Sequence, residues 1–498
     1  MSFGWQALPL YIILVSVVTG ILVFMLGEQR QHTRTVLNLA GAILKLALIL
    51  IMLLAIQAGT TFEFRLPLLP GLDLLLHADR LTMLFATLSA LLWLVTTVYA
   101  IGYLEQSPNR ARFFGFFSLC VAATMGVASA GNLFTFFIFY ELLTLATWPL
   151  VVHRGTPEAF AAGRIYLAYT LAGGILLLVG LIWLHALAGA GDFILDGSLA
   201  PIASGNENAL RAIFVLLMLG FGVKAALLPL HSWLPRAMVA PAPVSALLHA
   251  VAVVKAGAFG LVRLIQDVFG FQLAASLGLT DLLAWVAGVT IIYGSVLALK
   301  QSDLKRRLAY STVSQVSYIA LGVATGGVLA TIGGLVHLVH QGLTKITLFF
   351  CAGNYAEAYG IHKVEDLDGL GECMPVTSVC FTIAALGMIG VPPMAGFITK
   401  WHLGAGAMAA GAPWVILILV ASTLLNAAYF LPLLQRIWFR PLTEEIARRD
   451  DRLGRIRQVA LIAPTVFVAV TALAAGLLAG IPGSPLFWVT RMVGAEGP

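Results

Sequence analysis

Long apolar stretches recur along the chain, divided by short polar ones, and this pattern sets the first expectation. A helix needs about 20 apolar residues to cross the hydrocarbon core of a bilayer. Fourteen runs approach that length: 8–26, 35–57, 82–103, 113–130, 132–152, 165–187, 209–230, 243–264, 280–299, 308–325, 329–356, 376–410, 413–438 and 459–480. The pattern predicts an all-α polytopic membrane protein with about 14 transmembrane helices. Two runs do not fit a straight helix. Run 209–230 contains Pro229, and run 376–410 is too long for one span and contains Pro392 and Pro393, then Gly396. Proline removes a backbone donor and clashes with the preceding turn. The seventh and twelfth helices are therefore expected to break in mid-membrane. They stand five spans apart, and ion transporters often place discontinuous helices at corresponding positions of two repeats. The expected organisation is an N-terminal three-helix segment at 1–112 and two inverted five-helix repeats, at 113–264 and 280–438. A C-terminal loop and last helix follow at 439–498. The first apolar run has no basic stretch before it and no small-residue cleavage site after it, and reads as a retained span.

Composition agrees. Of the 498 residues, 60% are hydrophobic and 10% charged, with a mean hydropathy of +0.95; soluble domains carry about a quarter charged residues. The net charge of +6 does not point to nucleic acid, because the basic residues are scattered among short loops. Of the 29 lysines and arginines, 18 fall in loops after odd-numbered spans and 5 on the opposite side. This positive-inside bias supports the span pattern and puts both termini outside the cytoplasm of a bacterial- or archaeal-type cell membrane. The longest loops, near 58–80, 188–208 and 440–458, are too short to fold a core of their own. The four cysteines, Cys120, Cys351, Cys373 and Cys380, form no CxxC or Cys/His cluster, so neither a zinc or iron–sulfur site nor another cofactor is expected.

Six basic residues remain inside the spans: Lys45, Lys224, Lys255, Lys345, Lys400 and Arg436. A lysine at mid-membrane costs roughly 3 kcal/mol or more. Lys45 and Arg436 read as close enough to span ends to snorkel. Lys224, Lys255, Lys345 and Lys400 read as deeper, facing a single deep carboxylate, Glu141, together with His249, His337, His340 and His185. Four such lysines cannot all stay charged beside one carboxylate, and a row of groups that exchange protons is what a proton path needs; static helix–helix pairs are the bland alternative. His249 and Lys255 are six residues apart, roughly 9 Å along a helix axis, and His337 and Lys345, eight apart, lie close to one face. Lys224 and Lys400 stand beside the two expected breaks. The residues read as an ion-translocating bundle. A carrier for an organic solute is weaker, since no arginine or aromatic cluster awaits a substrate. A scaffold would have no reason to keep buried charges.

The stretch GFGVKAALLPLHSWLPRAMVAPAPVSALLHAVAVVKAG, 220–257, resembles the signature of the antiporter-like membrane proteins shared by respiratory complex I, Mrp-type cation/proton antiporters and membrane-bound hydrogenases. NLFTFFIFYELLTLATWPLV (132–151), LKRRLAYSTVSQVSYIALG (304–322), HLVHQGLTKITLFFCAGN (337–354) and GVPPMAGFITKWHL (390–403) support it, over about residues 79–440. GFITKWHL and the total length are most similar to the D component of Mrp antiporters or its relatives in hydrogenase-type complexes. The resemblance implies a proton-translocating component of a larger assembly, with partner membrane subunits, moving H+ in exchange for Na+ or else driven by a redox complex. It implies a gating pair of Glu141 and Lys224, a central relay at Lys255 with His249, continuation through His337 and Lys345, and a terminal site at Lys400. In one respect the chain departs from the family: the usual second histidine four residues before Lys345 is Gln341, with His340 adjacent. A glutamine cannot change charge, so the relay there would run through His340 or water.

Overall fold

The computed structural model describes residues 4–105, 107–189, 191–442 and 455–494; the loop residues Arg448, Arg449 and Arg452 lie outside them. Every predicted run falls on helix. In chain order come α1 (Leu8–Met25), α2 (Gln31–Gln57), a hairpin of β1 (Phe62–Leu69) and β2 (Leu72–Ala78), α3 (Arg80–Tyr103), α4 (Arg110–Ala128), α5 (Leu133–Val151) and α6 (Pro157–Ala188). Next are α7 (Glu207–Ala225), α8 (Trp233–Arg236), α9 (Ala242–Ala246), α10 (Val253–Arg263), α11 (Phe271–Ser276), α12 (Leu279–Leu299), α13 (Leu304–Thr325) and α14 (Gly327–Tyr359). Then follow α15 (Leu370–Cys373), α16 (Pro375–Ile389), α17 (Ala395–Ala409), α18 (Trp414–Phe439), α19 (Arg455–Leu477) and α20 (Pro485–Gly494). Among the described residues, 12 helical segments are long and apolar enough to cross a membrane. The chain is a multi-pass membrane protein. Run 308–325 falls on α13, whose buried Ser311, Thr312, Ser314, Gln315 and Ser317 make it less apolar. Run 376–410 falls on α16 and α17.

Side-chain caps set several helix starts. Asn132 accepts from Thr135 N (2.8 Å) ahead of α5, and Asp303 accepts from Arg306 N (2.8 Å) ahead of α13. Thr156 accepts from Ala159 N (3.2 Å) ahead of α6, with Pro157 as its first residue. Each cap satisfies a backbone donor that the first helical turn leaves unpaired.

The helices gather into two compact groups. The first holds Met1–Leu94, Asn109–Trp233 and Val251–Trp285, the second Val95–Pro108, Leu234–Ala250 and Val286–Pro498. In the first, α4 packs on α1 and α5, α6 on α5 and α7, and α10 on α7. In the second, α14 packs on α13, α16, α17 and α19. Its 33 residues are buried almost without interruption from Ile332 to Tyr355. Both expected breaks are present, one in each group. α7 stops at Ala225, four residues before Pro229, and Ala226 takes the left-handed conformation (φ 56°) that often closes a helix. α16 stops at Ile389; Pro392 and Pro393 lie in the link, while Gly396 falls in the first turn of α17. The Leu228–Pro229 and Pro392–Pro393 bonds are both cis.

Two features add to the expected all-α pattern. Residues 62–78, read as loop, form an antiparallel hairpin turning at Pro70–Gly71. It is tied to the end of α4 by His77 N donating to Ser129 O (2.7 Å) and Gly131 N to Leu75 O (2.8 Å). The eighth span is also irregular: between α9 and α10 lie a π-helical turn, Leu247–Val251, and then Ala252 at φ −118°, ψ −82°.

Candidate functional site

Lys224 ends in the last turn of α7, wholly buried. Its Nζ donates to the backbone carbonyl of Tyr140 and sits 3.2 Å from the centroid of the Tyr140 ring. Tyr140 is fixed in turn by donating its hydroxyl to Gly220 O on α7 (2.9 Å). Glu141 follows Tyr140 on α5, so sequence adjacency brings carboxylate and ammonium to one place. They form no ion pair among the described residues. The carboxylate instead rests in a notch of α6: a Cβ on Gly174 would lie 2.5 Å from Oε1 and 2.7 Å from Cδ. Glu141 as a whole is half-buried, but its Oε1 is buried and has no hydrogen-bond partner among the described residues. Breaking α7 frees backbone carbonyls, which protein must satisfy at membrane depth. Trp233 does so for Val223, its indole Nε1 donating to Val223 O (2.7 Å), and Leu227 N donates to Gly222 O (2.9 Å). The wholly buried Lys255 lies on α10, whose Gly257 leaves no room for a side chain against Lys224 and Ala225.

The remaining predicted residues belong to the second group. His249 lies in the π-helical turn, stacked on Phe349 (ring centroids 4.5 Å apart), with neither ring nitrogen hydrogen-bonded among the described residues. His337 stacks on Tyr318 (5.1 Å). Lys345 donates to Leu308 O (3.2 Å) and to the Ser311 hydroxyl on α13. His340 Nδ1 stands 3.1 Å from Thr399 Oγ1, next to Lys400 on α17, while its Nε2 has no partner. Both amide atoms of the buried Gln341 also lack a partner among the described residues. Lys400 is half-buried and bridges the second break: its Nζ donates to Ile389 O, the last carbonyl of α16 (2.6 Å), and to Thr423 Oγ1 (2.8 Å). That carbonyl is the negative end of a helix dipole, so a cation there is favoured. Asn426 Nδ2 donates to the neighbouring carbonyl, Met388 O (3.1 Å). Gly396 seats the start of α17 directly over the carbonyl of Gly387, where a Cβ would collide.

Three readings change. Lys45 does not snorkel: it is 0% exposed, with Nζ 4.1 Å from the centroid of the Trp93 ring and no hydrogen-bond partner among the described residues. Glu141 is not the single deep carboxylate. The eighth span runs on to Phe269 and buries Asp267, whose Oδ2 lies 2.7 Å from Arg263 Nη1. Arg263 also holds Asp79, at the head of α3, through two bonds of 2.6 and 2.9 Å. Burial pushes the Asp79 carboxyl up, but the guanidinium beside it, with bonds from Arg263 and Thr82, outweighs burial and holds it at about 2. His185 is half-buried near the end of α6 and lines a cavity of about 440 Å³ beside the hairpin, with Arg65, Asp73, Asp192 and Asp267. Arg436, near the end of α18, pairs with Asp368 (3.0 Å) as a snorkelling residue can.

The sequence profile of the transmembrane region of NADH:quinone oxidoreductase/Mrp antiporters matches residues 130–426, and that of the complex I chain 5 N-terminus matches residues 71–114. The chain is 37% identical over 384 residues to NADH-quinone oxidoreductase subunit N of Desulforudis audaxviator, which covers 76% of this chain and 75% of that protein. The chain belongs to the NADH:quinone oxidoreductase/Mrp antiporter family. All eight proton-transfer candidates lie inside the stretch 130–426. Similarity to hydrogenase-4 component B of Escherichia coli is 32% over 362 residues, which is 70% of this chain but only 53% of that longer protein. The fold is similar to a chain of the Mrp complex from Dietzia sp., with a TM-score of 0.87 and 24% identity, over 100% of this chain and 98% of that one.

Proposed function

We propose that this chain is a proton-translocating component of a multisubunit membrane complex of the Mrp type, similar to its D component, which couples H+ movement to Na+. One observation carries the reading. Each of the two groups contains a broken helix with a lysine at the break, and each lysine is held by neutral oxygens, Tyr140 O for Lys224, Ile389 O and Thr423 Oγ1 for Lys400. Such partners hold an ammonium in place without the charge of a carboxylate, so the proton can leave. Glu141, resting apart from Lys224 in the Gly174 notch, supplies the missing charge: closing it onto Lys224 favours the charged lysine, and opening releases the proton onward. The proton then passes to Lys255 and to His249, six residues earlier in the chain, then by way of Lys345, His337 and His340 to Lys400. Gln341, whose amide cannot change charge, does not carry the proton.

We further propose fourteen crossings in two inverted repeats, with both termini outside the cytoplasm, on the strength of the positive-inside bias. The near-complete length match with a chain of the Mrp complex supports that setting. Similarity to subunit N of NADH-quinone oxidoreductase favours a second reading, in which the same path is driven by a redox module. Purification in mild detergent, followed by flux assays of what co-purifies, tests both. Small membrane proteins with Na+-dependent proton flux are expected; a metalloprotein module with flux that follows electron transfer would move the chain to the second reading.

A further inference from the structure

The N-terminal helices carry a polar layer that the row from Glu141 to Lys400 does not use. α2 buries one face, and that face reads Arg34, Asn38, Gly41, Ala42, Lys45, Ile49, Met52. Lys45 lies about 16 Å along the axis from Arg34, deep in the most apolar of the spans. Helix packing fixes what shares its depth. Gly41 seats against Thr19 of α1, and Gly20 of α1 seats against the Gly115 carbonyl of α4 (3.0 Å to an added Cβ). Consecutive spans run in opposite directions, so one turn beyond these contacts Ser16 of α1, Ser118 of α4 and Lys45 of α2 fall at one level. All three are 0% exposed, and among the described residues Ser16 Oγ, Ser118 Oγ and Lys45 Nζ find no hydrogen-bond partner.

A buried polar group without a partner is uncommon, and three in one layer need a reason. Among the described residues no carboxylate pairs with Lys45: α3 brings it the Trp93 ring, and the glycine contacts put Ser16 of α1 and Ser118 of α4 at its level. Three charged groups of this bundle, Arg34, Glu28 and Arg110, form a chain at the head of α2 (3.9 and 3.8 Å). From there Asn38, whose Nδ2 donates to Arg34 O (2.9 Å), leads inward along the same face. The Trp93 face favours a cation, but by less than it costs to hold a charge at this depth. Hydroxyls and a lysine together suit a proton and repel a metal cation. We propose that Lys45, in the layer it shares with Ser16 and Ser118, is a proton-exchanging site served from the Arg34 end of the bundle. Its amine takes up a proton as –NH3+ and returns it as –NH2. Lys45 precedes both stretches matched by the family profiles.

Arginine distinguishes this from a static clamp on Trp93. It keeps the cation and the ring contact but does not deprotonate in proteins. In the assembled complex, Lys45→Met and Lys45→Arg should both lower proton flux by about a hundredfold, the scale of a lost proton-transfer group. Full flux in either variant would overturn the proposal. A second measurement stands apart from flux and from the proposed function: 13C-lysine NMR of the wild-type complex, with the Lys45 signal identified by its loss in Lys45→Met. That signal should move from its charged to its neutral position as pH is raised across the range in which the complex stays assembled. A signal charged throughout that range would overturn the site even if Lys45→Arg failed to assemble. Should Glu141→Ala retain full flux, the proposed function falls, and the Lys45 titration is still decided on its own.

Discussion

Glu141 shows how one missing Cβ positions a charge. Its carboxylate lies over Gly174, so Gly174→Ala must expel it from the notch. With Lys224 close by, the expelled group has an ammonium to pair with, and a pair held shut cannot release its proton. Flux per assembled complex is expected to fall by up to about a hundredfold. Gly173→Ala is the control, because its Cβ meets Val223 and not the carboxylate; equal losses in the two variants would leave the notch with no part in gating. His153, just beyond α5, gives a pH prediction. Burial, then the charges of Arg112 and Arg154, push its imidazole down to about 4 from an ordinary 6.5. The folded chain therefore binds fewer protons than the unfolded chain between those values, so this contribution to stability is present above 6.5 and is lost as pH falls toward 4. The melting temperature in detergent should drop between about pH 7 and about pH 5, and less so in His153→Phe. Parallel curves would show that His153 stays exposed to solvent. Lys224, Lys255 and Lys345, read as deep from their place in the apolar runs, are wholly buried, while Glu141 and Lys400, read as equally deep, are half-buried. Lys45 escaped because hydropathy reports how apolar a run is and not which face its neighbours cover. Asp267 escaped because it lies three residues past the end of its apolar run.

At the scale of elements, the two broken helices were legible because proline leaves a mark that hydropathy cannot hide. The exact ends were not: α7 stops at Ala225, ahead of Pro229, since its closure depends on Ala226 and on Trp233 reaching back. Trp233→Phe leaves Val223 O with Ala226 N as its donor (3.1 Å) and should destabilise the fold by about 0.5–1.5 kcal/mol, the net worth of one hydrogen bond; chemical unfolding in detergent measures it, and an unchanged midpoint would mean the indole contributes nothing to closing the break. The π-helical turn at Leu247–Val251 carries neither proline nor glycine, so nothing in LLHAV announces it. The hairpin did announce itself, through Phe-Glu-Phe-Arg-Leu alternation and Pro70–Gly71. Its shortness and its membrane context favoured a loop reading.

At the scale of the molecule, each compact group has its own break, its own lysine at that break and its own set of buried histidine or carboxylate neighbours. That parallel is the physical basis for reading the chain as a translocator. A scaffold would gain nothing from burying lysines against carbonyls and hydroxyls, each at a cost of roughly 3 kcal/mol or more. The decisive measurement is proton uptake into vesicles holding the assembled complex, with wild-type chain compared against Lys224→Ala and Glu141→Ala at equal assembly. Both variants are expected to lose proton flux while the complex stays intact. Normal flux in Lys224→Ala would contradict the proposed path, because no route through the first group would then depend on the lysine at its break.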